Sequence, residues 1–263
     1  MSRTKKIVGV VCCCAIVVFI WQANRYLKKI YVAPIAMYHS INPVQNPHIK
    51  GLIVHPRSFE RQMKFLKQHK YNVIALEELV RLIKEKRSIP ARTLVLTFDD
   101  GYKDNYTYAF PILKKYGLPA TIFVIINEIG RADRLSWEEI KQMQASGLIT
   151  IGSHSLGPDP LIKVTPFEKL KSEIVDSKKI LEERLGKSVT LFSYPEGMFT
   201  PEIRQIVQDA GYFAAVATSP GRKFPNDDIF ALKRLRIAYT SDNLFVFWFE
   251  TTGLYTHLKE RKK

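Results

Sequence analysis

The sequence predicts an α/β fold: a distorted (β/α) barrel of about seven to eight parallel strands, preceded by one N-terminal membrane helix. Three observations carry this. From residue 31 onward short apolar runs alternate with helix-period segments, the grammar of a parallel sheet. About eight such units in series favour a closed or nearly closed barrel over an open doubly wound sheet. No Gly-rich phosphate loop follows any of the runs, which argues against a dinucleotide-binding fold. With 263 residues, 46% hydrophobic, 25% charged, 13 Gly and 14 Pro, the chain can bury one large core and is not disordered, collagenous or disulfide-stapled.

The first element lies in residues 1–30, read as a cytoplasmic basic stub, a membrane anchor over about residues 7–23 and a linker. Arg3, Lys5 and Lys6 precede a fifteen-residue run, Ile7 to Trp21, without charge or proline, and Arg25, Lys28 and Lys29 follow it. Trp21-Gln22-Ala23 puts an indole where a cleavable signal peptide wants a small residue, so an uncleaved anchor is the reading preferred to a signal peptide. Cys12, Cys13 and Cys14 all fall inside this segment and read as small apolar filler. The remainder, 31–263, reads as one domain without cysteine, so it has neither disulfide nor thiol nucleophile.

Strands are expected over Pro34–Tyr38, Asn72–Ala75, Thr93–Phe98, Ala120–Ile126, Leu148–Gly152, Val189–Tyr194, Tyr212–Ala217 and Leu232–Ile237. Thr165-Pro166-Phe167-Glu168 reads as a capping box opening a helix with Phe167, Leu170, Ile174, Leu181 and Leu185 on one face, stopped by Gly186. Ser136-Trp137-Glu138-Glu139 and Thr200-Pro201 open two further helices.

Chemistry in a parallel barrel gathers at the carboxyl ends of the strands, and three polar clusters follow predicted strands. Thr97-Phe98-Asp99-Asp100-Gly101-Tyr102 sets two carboxylates side by side. It reads either as a turn with one solvated and one capping carboxylate, or as a base beside a metal ligand. Gly152-Ser153-His154-Ser155 ends another strand; a lone histidine there is commonly a satisfied core residue, but beside the aspartate pair it becomes a candidate ligand. Ser193-Tyr194-Pro195-Glu196-Gly197 by itself reads only as a turn.

Together, TFDDGY (97–102), GSHS (152–155) and SYPEG (193–197) resemble the polysaccharide deacetylase family, whose catalytic unit is the NodB-homology domain; the resemblance spans roughly residues 34–240. It implies a distorted barrel holding a divalent metal, usually zinc, that removes N-acetyl groups from N-acetylhexosamine units of a polysaccharide. Asp99 then matches the general base and Asp100 and His154 match metal ligands. The backbone N–H of Glu196, following Pro195 in the Tyr194-Pro195-Glu196 turn, matches the oxyanion donor.

Three departures from the family pattern stand out. The second histidine of the ligand motif is absent, its places being held by Pro158 and Asp159. Asp159 is thus either the third metal ligand or an Asx-type turn residue. Ser193 stands where an arginine often orients the base, and Glu196 stands where an aromatic is usual, leaving base positioning and sugar stacking less secure. The family's closing strand with its general-acid histidine is missing near the carboxyl terminus, where only His257 stands. Instead Pro34-Ile35-Ala36-Met37-Tyr38-His39 reads as that strand moved to the front, similar to the circularly permuted branch typified by poly-N-acetylglucosamine deacetylases. His39 is then the general acid, or else a core-edge histidine.

Arg234 and Arg236 either approach the site from the barrel end, with Arg236 taken as a substrate contact, or guard an edge strand. Tyr102, Tyr194 and Phe192 either line a sugar subsite or pack in the core; His48, His55, His69 and His257 read as surface residues.

The net charge of +15 divides into six basic side chains within residues 1–30, which contain no acid, and +9 elsewhere. No nucleic-acid motif accompanies it, so the basic balance points to a membrane surface and then to an anionic glycan. Two functions of different class are expected: a metal-dependent, membrane-anchored N-deacetylase acting outside the cytoplasm on an N-acetylated polysaccharide, or a degenerate homologue that binds glycan or a partner without turnover.

Overall fold

The computed structural model describes residues 32–44, 51–218 and 226–253, together with Val18, Gln22, Tyr255 and Thr256. The expected anchor over about residues 7–23 therefore lies, apart from two isolated positions, outside the described residues, as do His48 and His257. Among the described residues no helix is long and apolar enough to cross a membrane.

The strands are β1 (Ile35–Tyr38), β2 (Ser40–Ile41), β3 (Ile53–Val54), β4 (Asn72–Val73), β5 (Thr93–Phe98), β6 (Ala120–Val124), β7 (Ile149–Ser153), β8 (Leu191–Ser193), β9 (Ala214–Ala217), β10 (Leu232–Lys233) and β11 (Leu235–Arg236). The main sheet is parallel in the order β10-β9-β8-β7-β6-β5-β1-β11. Its two ends, β10 and β11, are separated in the chain only by Arg234. Leu232 pairs with Val216 on one side and Leu235 with Ala36 on the other, so one interrupted stretch touches both edges and nearly closes the barrel. The expected barrel is therefore present, with β1 inserted between β5 and the last strand although it comes first in the chain.

One expected strand needs correction, and one strand pair was not expected. The Asn72–Ala75 unit contributes only β4, a two-residue appendage on β5 outside the barrel path. β2 and β3 form a separate pair that two-residue strands cannot announce through periodicity.

Helices flank the barrel: α1 (Pro56–Gln68), α2 (Leu76–Lys84), α3 (Phe110–Tyr116), α4 (Trp137–Ala145), α5 (Phe167–Leu185), α6 (Pro201–Asp209) and α7 (Leu244–Glu250). Ser136 opens α4 through a reciprocal capping box with Glu139, and Thr200 caps α6 by accepting from the Ile203 N–H. The capping box expected at α5 does not form. Pro166 takes the cap position without a side-chain oxygen to offer, and Phe167 is 48% exposed while Leu170, Ile174 and Leu181 are buried.

Residues two apart on a strand share a face, and this period builds the site. Ile35, Val95, Phe123, Leu191, Val216 and Leu232 form one buried cluster with Leu76, Leu79 and Val80 of α2. The intervening positions, including Ala36, Leu96, Phe98 and Ile122, pack outward against helix residues such as Phe59, Met63, Leu113 and Ile140. Continuing the inner rows toward the carboxyl ends gives Ile35-Met37-His39, Val95-Thr97-Asp99, Leu191-Ser193 and Leu232-Arg234. The inner face is apolar below and ionisable or hydroxylic above.

Candidate active site

A cavity of about 400 Å³ opens at this end of the barrel. His39, Asp99, Asp100 and His154 line it, with Pro158 on the wall beyond His154, Pro195, Glu196 and Gly197 on another, and Arg236, Arg134, Met37, Leu52, Ile125 and Thr218 completing it. The three motifs thus converge with the leading strand.

Asp99, on the inner face and buried, meets Arg234, which takes the first of its two expected courses and approaches the site from the barrel end. Arg234 donates from Nη1 to Asp99 Oδ1 at 2.7 Å and from Nη2 to Oδ2 at 2.6 Å, a two-point grip. Arg234 is itself fully buried, where its Nε donates to the Ala217 carbonyl at 3.4 Å and Nη1 to Thr97 Oγ1 at 3.3 Å. Nη2 also donates to Ser193 Oγ at 2.9 Å. The serine in place of a motif arginine therefore does not leave the base unheld: it is small enough to admit Arg234 from another strand and supplies it an acceptor. Burial alone would raise the Asp99 carboxyl, but Arg234 and then His154 outweigh it and hold it down at about 2.

Asp100 follows in the left-handed region at φ 68, and Gly101 continues at φ 62. That double turn reverses the strand alternation and brings the Asp100 carboxylate to the same mouth as Asp99. A Cβ on Gly101 would stand 3.0 Å from Val124 Cγ1, so glycine fits both the angle and the space. Ser155 and Glu196, each just beyond one of the other two strand ends, are also non-glycine residues at positive φ, 67 and 55. Such backbone conformations cost energy and concentrate at working sites.

His154 is buried, and its Nδ1 lies 2.7 Å from the Ser193 carbonyl oxygen, a contact that requires the proton on Nδ1. The neutral ring then turns the Nε2 lone pair toward Asp100 Oδ1, 3.5 Å away. Two lone-pair donors facing one another across such a gap suit a cation between them, and a backbone carbonyl fixing the tautomer is the usual support for a ligating imidazole. The same neighbours act on protonation: burial pushes the His154 pKa down, but Asp99 and Asp100 prevail and raise it, while His154 lowers Asp100 against burial. The pair thus fits a divalent cation as two of its protein donors. Among the described residues no group of three His, Cys, Asp or Glu is placed to hold one.

Asp159 is not brought to this pair. It is exposed and absent from the cavity wall, whereas its neighbour Pro158 faces the cavity without a donor atom. The loop has been turned by Ser155, whose Oγ donates to the Gly157 carbonyl at 2.7 Å, and by Glu173, which accepts from the Gly157 N–H at 2.8 Å.

His39 lies at the end of β1 within the cavity, its Nδ1 buried and without a hydrogen-bond partner. Burial lowers its pKa, offset in part by Asp99 and Asp100. In the third motif the N–H groups of Gly197 and Met198 are bound within the turn, to the carbonyls of Tyr194 and Pro195 at 2.8 and 3.2 Å. The Glu196 N–H has no partner among the described residues, as an oxyanion donor requires. Arg236 is exposed and reaches the cavity rim, as does the Glu196 side chain.

The aromatic candidates go elsewhere. Tyr194 is fully buried, stacks on Phe199 with ring centroids 4.3 Å apart and donates to the Phe230 carbonyl at 3.0 Å. It supports the turn without facing substrate, because it occupies the outward position next to inward Ser193. Phe192 is core, and Tyr102 lies beneath the Arg134 guanidinium, 4.1 Å from its ring centre. Sequence reasoning also passed over Asp104 and Asn105, whose contacts to the residues after β1 depend on tertiary packing alone.

A parallel barrel whose carboxyl end gathers two carboxylates, two imidazoles and a tight turn on one cavity has the parts of a hydrolase acting on an acyl group. The model of the polysaccharide deacetylase family matches residues 86–215, and the chain belongs to that family, carrying its NodB-type deacetylase domain. YxkH of Bacillus subtilis (strain 168), a protein assigned to the polysaccharide deacetylases, is 36% identical over 205 residues, covering 78% of this chain and 71% of its own length. The poly-beta-1,6-N-acetyl-D-glucosamine N-deacetylase of Staphylococcus aureus (strain MRSA252) is 29% identical over 209 residues, covering 75% and 71% respectively. Among solved structures, the Streptococcus pyogenes deacetylase PplD in complex with acetate superposes with a TM-score of 0.74 at 30% identity, covering 84% of this chain and 98% of that one. The chain is accordingly a deacetylase, a hydrolase of the polysaccharide deacetylase type.

Proposed function

We propose that the protein removes N-acetyl groups from N-acetylglucosamine units of an envelope or extracellular polysaccharide, with the help of a divalent metal, zinc in the first instance. The observation that carries this reading is the convergence of Asp99, Asp100, His154, His39 and the Pro195-Glu196-Gly197 turn on one cavity. The relation to a poly-beta-1,6-N-acetyl-D-glucosamine N-deacetylase supports the choice of sugar.

The reaction adds water to the acetamide carbonyl, breaks the C–N bond and yields acetate and a free amine. Asp99, ionised and held still by Arg234, accepts the proton of the attacking water. The Glu196 N–H meets the oxygen that gains negative charge. His39 gives a proton to the departing nitrogen, which leaves poorly as an anion. Asp100 and His154 would hold the metal, which supplies Lewis-acid polarisation of the carbonyl and acidifies water when bound. Arg236 and Glu196 at the rim contact neighbouring sugar hydroxyls.

A second reading, a homologue that binds glycan without turnover, is favoured by one observation, the want of a third metal-holding side chain among the described residues. Metal analysis of the purified protein and acetate release from N-acetylglucosamine oligomers, with Asp99→Asn as control, separate the two. Absence of bound metal together with acetate no higher than the control would overturn the enzymatic reading.

We also propose that residues 1–30 form an uncleaved stub, anchor and linker, and that the catalytic domain, 31–263, faces the outside of the cytoplasmic membrane. The uncharged run from Ile7 to Trp21 between basic flanks supports this, and protease protection of intact cells or spheroplasts tests it.

A further inference from the structure

The loop that follows Asp99 and Asp100 reaches back to the strand that carries His39. Asn105, fully buried, donates from Nδ2 to the His39 carbonyl at 2.7 Å. The Asp104 carboxylate, also buried, accepts from Ser40 Oγ at 2.6 Å, from the Ile41 N–H at 2.9 Å and from Asn42 Nδ2 at 3.3 Å. It also accepts from Asn105 Nδ2 at 3.1 Å, which joins the two side chains into one clamp. Four consecutive residues, 39 to 42, are thus gripped by two.

The strand ladders explain why a clamp is needed. β1 pairs with β5 only as far as Tyr38, and β2 starts at Ser40 in a different sheet. His39 sits at the break, its backbone in neither named strand, and its ring Nδ1 has no partner to orient it. Tyr38 and Asn42 on either side are held by backbone bonds from the Asp99 N–H and to the Val54 carbonyl, and Asn105 and Asp104 supply the side-chain ties across the break itself. The clamp ties His39 to the segment bearing Asp99 and Asp100, so that acid and base are set relative to one another through one short loop.

We infer that Asp104 and Asn105 are positioning residues for His39, fixing the proton donor against the carboxylate pair. The inference rests on the reading of His39 as the group that protonates the leaving nitrogen. A misplacement on the order of 1 Å can cost about 100-fold in rate, and the loss should fall only on reactions that need the donor.

The test uses the full-length chain with two substrates: an N-acetylglucosamine tetramer, whose amine must be protonated to leave, and 4-nitrophenyl acetate, whose phenolate leaves unaided. Asp104→Ala and Asn105→Ala should lower kcat on the tetramer by about 10- to 100-fold with KM changed less than about twofold, and leave ester turnover within about threefold. Asp104→Asn, which keeps one acceptor oxygen, should fall between. His39→Ala is the reference. If it shows the amide-selective loss and the clamp variants do not, the positioning role fails while the donor reading stands; if His39→Ala shows no selectivity, both fail. Equal losses on amide and ester in the clamp variants would mark a merely structural role. Histidine-selective NMR supplies a readout independent of turnover: the His39 ring resonances should shift in Asn105→Ala with those of His154 unmoved, and an unchanged His39 spectrum overturns the inference.

Discussion

Arg234 and Asp99 form a fully buried, two-point ion pair, 2.7 and 2.6 Å between paired atoms, at the place where the barrel's last strand is interrupted. The two-residue period turns the guanidinium inward: Arg234, between β10, which pairs with β9 up to Lys233, and β11, which pairs with β1 from Leu235, extends the inner row above Leu232. The pair has two consequences, for stability and for the base.

Removing one member of a buried pair strands the other charge, at a cost of about 3–5 kcal/mol. Arg234→Ala should therefore lower the urea midpoint strongly. In the variant that remains folded, burial is no longer opposed by the guanidinium, so the Asp99 carboxyl rises and the acid limb of kcat/KM moves to higher pH. Arg234→Lys keeps the charge but loses the fork; it should recover most of the stability and little of kcat.

In the intact protein the Asp99 carboxyl is held at about 2, below its unfolded value near 4. A carboxylate depressed on folding contributes stability above its unfolded value and loses that contribution as pH falls through the folded one. Roughly 2 kcal/mol should vanish between about pH 4 and pH 2. Stability curves of the parent and Asp99→Asn, measured by denaturant titration across this range, should converge by about that amount; parallel curves would contradict the assignment.

If Asp100 and His154 hold the metal as proposed, its affinity should depend on them and not on Asp159. Asp100→Asn and His154→Ala are expected to lose bound metal, whereas Asp159→Ala, altering an exposed side chain off the cavity wall, should retain it. Pro158 does face the cavity, so Pro158→His offers a third donor and should tighten zinc binding by at least about tenfold in a competitive chelator titration.

Gly152 and Gly197 tolerate no side chain. A Cβ on Gly152 would lie 2.5 Å from the Phe123 ring and 3.0 Å from the Leu191 carbonyl oxygen, and one on Gly197 would lie 2.5 Å from the Thr218 backbone nitrogen. Gly152→Ala should cost about 1–3 kcal/mol by overpacking, seen as a fall in Tm. Gly197→Ala should in addition move the Glu196 N–H and depress kcat, because the clash is with backbone that cannot yield by a rotamer change.

Arg236, exposed at the rim, contacts none of the groups assigned to bond breaking. Arg236→Ala should raise KM for oligomers severalfold with kcat nearly constant, and leave KM for 4-nitrophenyl acetate unaltered.

Much of this molecule is written locally. Thr93–Phe98 is a strand because six apolar or β-branched residues precede a turn, and Asp99-Asp100-Gly101, His154 and the Tyr-Pro turn could be placed at strand ends because a two-residue period and turn-forming residues are short-range signals. The leading strand with His39 was legible for the same reason, as was the parallel barrel. What only the tertiary structure decided is which distant groups meet. Arg234 and Asp99 stand 135 positions apart, and which row of the closing strand comes to lie against Asp99 is a matter of barrel closure and register that no local pattern encodes. The same holds for Ser193 making room for that arginine, for Asp104 and Asn105 gripping the residues beyond β1, and for Asp159 standing exposed off the cavity wall where its place in the motif suggested a ligand. Periodicity sets the face a residue occupies; closure of the barrel sets its company.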